Sequence, residues 1–216
     1  MHVIPNQHLD TSSILRIHET HLIIYGVPRS ASSFTWQVMG DIFKTGVFRT
    51  HKYVVVPDHV PVIATIRDWR DALVSYWRLH YPQHSTMPEE GIWQYVAKYQ
   101  EHICTLRYWA KTRPDMPVLR YEDTVVQPER LFEVAEQVGG PQLDLQERAE
   151  CLAAHSSTTN RAIANNLKTF DKTRLMAPGH VHEAEVGVWR HFVDDRGASL
   201  ITELLVAALE EWGYPL

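Results

Sequence analysis

Arg29-Ser30-Ala31-Ser32-Ser33 places one guanidinium beside three hydroxyls within five residues. A short apolar run, Leu22 to Tyr25, and a turn signal, Gly26-Val27-Pro28, precede it, and Phe34, Trp36, Val38 and Met39 begin a helix-like segment after it. Strand, tight polar loop and helix start, in that order, make an anion site. The first backbone N–H groups of a helix have no partner within it and carry partial positive charge. Small residues let a phosphate approach those groups, serine hydroxyls add donors, and Arg29 can grip two oxygens at once. The plainer reading makes Ser32 or Ser33 a helix cap and Arg29 a surface charge. The nucleotide-hydrolase loop G-x-x-x-x-G-K-[ST] is not matched, because its second glycine and its lysine are missing.

The elements that would position these residues are readable from apolar periodicity. Strands are predicted at Leu22 to Tyr25, in a short extended piece from Val47, at Val62 to Ile66 and at Pro117 to Tyr121. Helices are predicted at Phe34–Lys44, Asp68–Tyr81, Glu89–Lys111, Pro128–Val138, Leu145–His155 and Leu200–Trp212. Ser156 to Ala177 is polar and weakly patterned and reads as a mobile loop. Strands alternating with helices predict an α/β fold of three layers, a central mostly parallel sheet with helices on both faces. In such sheets the ligand crevice lies beyond the carboxyl ends of the strands. Arg29, His51, Arg67 and Tyr121 all sit at or just after a strand end, so one pocket is expected to hold them.

Composition narrows the function. At 216 residues, 44% apolar and 22% charged, the chain suits one soluble domain over residues 1–216. The net charge of −5 argues against nucleic-acid binding, so an anion site must be a local basic pocket. Cys104 and Cys151 show no metal-type spacing, and a reducing compartment follows. His180 and His182 are a weak metal pair in a loop-like stretch, and no metal is assigned. Met1 to Thr20 lacks the apolar segment of a signal peptide, and no run is long enough to span a membrane. A cytoplasmic protein is expected, and the oligomeric state is left open.

Four segments, in order, resemble the sulfotransferases that use 3′-phosphoadenosine 5′-phosphosulfate (PAPS). Pro28-Arg29-Ser30-Ala31-Ser32-Ser33-Phe34 is similar to the family's phosphosulfate loop, P-[KR]-S-G-T-T-[WFL]. Arg49-Thr50-His51 resembles its K-T-H segment, and Arg67-Asp68-Trp69-Arg70-Asp71-Ala72-Leu73-Val74-Ser75 its R-N-P-[RK]-D-x-x-V-S segment. Leu119-Arg120-Tyr121-Glu122-Asp123 with Pro128 is similar to L-x-Y-E-D…P, and Val186-Gly187-Val188-Trp189-Arg190 more weakly to V-G-D-W-[KR].

The resemblance implies a P-loop-like sulfotransferase architecture and PAPS as donor, with 3′,5′-bisphosphoadenosine (PAP) as product and no metal. It implies a small-molecule hydroxyl or amine as acceptor. Arg29 and the Ser30, Ala31, Ser32 and Ser33 segment would hold the leaving phosphate, and Arg49 would add charge at the sulfuryl group. Arg67 and Ser75 would hold the 3′-phosphate. Phe34 would stack on the adenine, Tyr121 would contact the base or its neighbourhood, and His51 would be the general base. Residue by residue, alternatives stand: Arg67 paired with Asp68 or Asp71, Phe34 in the core, His51 on the surface. Several departures are visible, among them Val188 in place of the usual Asp and a short separation between His51 and Arg67. Ala31 replaces a glycine, which costs on the order of 1 kcal/mol if φ is positive there. His182-Glu183-Ala184 stands where the family has an R-K-G clamp on the 3′-phosphate. Other readings are a P-loop small-molecule kinase and a catalytically dead nucleotide-binding protein.

Overall fold

The computed structural model describes residues 7–8, 20–178 and 186–216. His180 and His182-Glu183-Ala184 lie outside the described residues. So does most of the N-terminal stretch. Five strands, β1 (Gln7–His8), β2 (Leu22–Gly26), β3 (Val47–Thr50), β4 (Val62–Ile66) and β5 (Val118–Arg120), form one sheet in the order β1-β3-β2-β4-β5. Every neighbouring pair is parallel.

Both faces of this sheet are covered, which is why β2 and β4 read as continuous apolar runs. Ile23, Tyr25, Val62, Ala64 and Ile66 point into one core, with α2 (Trp69–His80), α3 (Glu89–Thr112) and α8 (Asp195–Glu211). Leu22, Ile24, Val47 and Ile63 point into the other, with α1 (Ser32–Phe43), α5 (Arg130–Gln137) and α6 (Leu145–Ala154). Period-two alternation thus sorts buried residues between two cores rather than between core and water. Among the described residues no helix is long and apolar enough to cross a membrane.

The chain leaves β2 for β3 on one side and then returns to β4 on the other. That reversal opens a crevice at the carboxyl ends of the central strands. Buried polar links fix its walls. Asp68 caps α2 and takes the buried Arg70 guanidinium through both oxygens, at 3.0 and 2.7 Å. Glu122, from the short helix α4 (Tyr121–Val126), accepts the Asp68 N–H at 2.8 Å and the Tyr214 hydroxyl at 3.1 Å.

The structure corrects two boundaries. Ser156 to Ala177, weakly patterned in the sequence, contains a helix: α7 spans Ser157–Asn166, with the Ser156 hydroxyl accepting from the Thr159 N–H at 3.1 Å. Its buried side is only Asn160 and Ala164, so no apolar stripe announces it. The C-terminal helix begins at Asp195, not Leu200, because the Asp194 carboxylate accepts the Gly197 N–H at 2.7 Å and starts a polar first turn.

Candidate functional site

The loop between β2 and α1 is tightly constrained. A Cβ on Gly26 would lie 2.2 Å from Ser32 Cβ, so only glycine lets the strand end meet the first residue of α1. Arg29 and Ala31 both take the left-handed conformation, with φ of 69° and 60°. The alanine where the related loop has glycine therefore does sit at positive φ. The Cβ penalty there, roughly 1–2 kcal/mol, exceeds the extra unfolded-state entropy of glycine, roughly 0.4–1 kcal/mol. Ala31→Gly is expected to raise the unfolding free energy by about 0.5–1 kcal/mol in urea denaturation. A loss of stability would refute the strain.

Ser30 departs from its expected role. Its hydroxyl is 1% exposed and lies 2.6 Å from Val27 O and 2.7 Å from Thr65 Oγ1, and its N–H donates to Val27 O at 3.2 Å. Both donors serve the turn, so Ser30 shapes the loop rather than facing an anion. Ala31, Ser32 and Ser33 line the cavity instead, with the opening turn of α1 behind them. Arg49, buried under the loop at the end of β3, donates to Ser33 Oγ at 2.6 Å and Ser32 Oγ at 3.2 Å. Burial pushes its guanidinium down to about 10. Its charge reaches the loop through the two serines.

Arg29 reaches across to α2, where its Nε donates to Ser75 Oγ at 2.9 Å. Burial pushes the Arg29 guanidinium below its ordinary value, and the charges of Arg67 and Arg78 push it the same way. Tyr99, from α3, ties loop to helix: its hydroxyl lies 3.0 Å from Pro28 O and 2.9 Å from Ala72 O.

Arg67 follows β4 and lies over the Tyr121 ring, 4.1 Å from its centroid. Its pairing with Asp71 is long, 3.7 Å, because Asp71 accepts the Gly187 and Trp189 N–H groups at 2.6 and 2.8 Å. Asp68, the other possible partner, belongs to Arg70. One face of the Tyr121 ring is thus occupied by a guanidinium, and Tyr121 lines the cavity. Phe34, half-buried, keeps its place on the cavity wall.

His51 follows β3, and its Nδ1 lies 2.5 Å from Gly26 O. A carbonyl oxygen only accepts, so Nδ1 carries the proton and Nε2 the lone pair in the neutral ring. His102, on α3, shares the wall, and burial pushes its imidazole below the ordinary value.

The site residues expected from the sequence, Ser30 excepted, line one cavity of about 910 Å³, as do Arg78 and Lys98. Among the described residues, Arg29, Arg49, Lys52, Arg67, Arg78 and Lys98 face it against two carboxylates, Asp71 and Glu101. A chain of net charge −5 has concentrated its cations here. Arg78 went unnoticed in the sequence, although it lies one helical turn beyond Ser75, on the same face. The α7 segment, through Asn160, Phe170, Leu175 and Met176, closes the cavity's far side, which its polar sequence concealed.

No protein-family model matches the chain, and no curated protein matches it. Solved structures do. Retinol dehydratase in complex with androsterone and the inactive cofactor PAP superposes with a TM-score of 0.65 at 12% identity, over 90% of this chain and 81% of that one. Mouse sulfotransferase SULT7A1 complexed with PAP gives 0.62 at 14%, over 88% and 84%. Retinol dehydratase with retinol and PAP gives 0.63 at 13%, over 90% and 82%. The fold is that of these PAP-bound sulfotransferases.

Proposed function

We propose that this chain, built on the sulfotransferase fold and acting as one domain over residues 1–216, moves a sulfuryl group from PAPS to a hydroxyl or amine of a small-molecule acceptor. The observation that carries this reading is the cavity's charge, six cations against two carboxylates among the described residues, at the carboxyl ends of the strands. Such a surplus suits a ligand with anionic groups at two points.

The Ala31, Ser32 and Ser33 amides and hydroxyls, with Arg29, hold the phosphosulfate end and stabilise the charge that develops on the leaving oxygen. Arg67 and Ser75 hold the 3′-phosphate, and Arg29, bonded to Ser75, bridges the two ends. Phe34 offers its ring to the adenine. His51, with its tautomer set by Gly26, takes the acceptor proton on Nε2. Guanidinium charge fills the part that a divalent cation plays in phosphoryl transfer. The free thiols Cys104 and Cys151 fit a reducing, cytoplasmic setting.

A thermal-shift comparison tests the donor class. A ligand that binds only the native state stabilises it by about 2.7 kcal/mol at a hundredfold excess over its Kd. PAP is expected to raise Tm strongly and ATP weakly. An equal shift with ATP, with magnesium-dependent ATP turnover, would move the assignment to a kinase. Binding of PAP with no sulfuryl transfer to a panel of hydroxyl and amine acceptors would leave a nucleotide-binding protein.

A further inference from the structure

A second cluster of reactive side chains lies where α6 packs on α1. Cys151 and His155 stand four residues apart, on one face at the C-terminal end of α6. Asp41, in the last turn of α1, meets them. His155 Nε2 lies 2.8 Å from Asp41 Oδ2, and the Cys151 thiol 3.9 Å from the same oxygen. The three donor atoms all fall within 4.8 Å of one another.

We propose that Asp41, Cys151 and His155 form a binding site for a divalent transition-metal ion of zinc's class. One nitrogen, one sulfur and one oxygen ligand are the donor types such an ion selects. Bond lengths of ~2.0–2.3 Å in a tetrahedron place ligand atoms about 3.3–3.5 Å apart. The two distances to Asp41 Oδ2, 2.8 and 3.9 Å, lie on either side of that spacing, and no pair of the three donors is more than 4.8 Å apart, so small side-chain rotations would bring them to a common ion. A thiolate and a carboxylate neutralise the ion's charge. Both helices also end here, and the partial negative charge of helix C-termini favours a cation.

The surroundings fit. Cys151 is 6% exposed, while the Asp41 side chain is 51% exposed, so a fourth position faces solvent. Asn160 donates to His155 O and to Gln37 Oε1, both at 2.9 Å, and so ties the His155 backbone to α1. Metal binding replaces the S–H bond with a metal–sulfur bond and delivers that proton to the buffer. A bound ion would pin α6 to the helix whose N-terminus carries the phosphate-facing loop.

The test uses the full chain carrying Cys104→Ser, which removes the exposed thiol. After chelator treatment it is titrated with cobalt(II), then with zinc(II), in the absence of nucleotide. Cobalt is expected to give a sulfur-to-cobalt charge-transfer band, which one equivalent of zinc abolishes. Calorimetry in buffers of different ionisation enthalpy is expected to show one proton released per zinc bound. Adding Cys151→Ser should remove the band. Asp41→Asn and His155→Gln, whose side chains are partly exposed, should keep the fold by circular dichroism. Each should weaken zinc by at least roughly tenfold, the smaller effect seen even for supporting residues. No band, a band that survives Cys151→Ser, or unchanged affinity in folded Asp41→Asn would overturn the site. None of these readouts depends on sulfuryl transfer.

Discussion

His51→Ala is expected to lower sulfuryl transfer by roughly 10²–10⁴-fold, the range for a positioned general base, with PAP affinity almost unchanged. The reasoning starts at Gly26 O. That carbonyl holds Nδ1 at 2.5 Å and so orients the ring as well as choosing its tautomer. The nitrogen left with the lone pair belongs to a side chain on the cavity wall, on the strand end beside the loop between β2 and α1. Removing it deletes the proton acceptor and leaves Arg29, Arg67 and the α1 amides in place. Steady-state transfer assays against a hydroxyl and an amine acceptor, with PAP binding by calorimetry, separate the roles. If PAP binding collapsed together with turnover, His51 would be a prop for the loop rather than the base.

Arg67→Ala is expected to weaken PAP by about 10–100-fold, the worth of a hydrogen bond to a charged group, while AMP and ATP change little. Arg67 is 7% exposed and lies against the Tyr121 ring, and both carboxylate oxygens of Asp71 already accept from backbone amides. Its guanidinium is therefore held in a fixed place on the cavity wall. Competitive titrations with PAP, AMP and ATP make the comparison, and Arg67→Lys should recover part of the loss. A uniform loss across all three nucleotides would place Arg67 in general anion attraction and not at the 3′-phosphate.

Much of the fold was legible because its signals are local. Val62 to Ile66 is predicted and found with the same ends. Leu22 to Tyr25 gains only Gly26, and Glu89–Lys111 only Thr112. The positive φ of Ala31 could be anticipated from the glycine that related loops carry there. Where the signal was polar, reading failed. The α7 helix is held by a serine cap and by Asn160 contacts, so it has no stripe to detect. Ser30 looked like its neighbouring serines, yet Thr65, 35 residues away, turns it inward.

Residue order alone determined the alternation of strands and helices, the small-residue loop at a helix start, and a set of cations and a histidine just past strand ends. Those are consequences of periodicity and side-chain size, which act over a few residues. Only the tertiary structure decided which groups meet. Arg29 finds Ser75 across 46 residues, Asp71 takes two amides from the segment around Trp189, and Asp41 joins Cys151 and His155 across more than 100. Packing of helices on a twisted sheet sets these distances, and no local pattern encodes them.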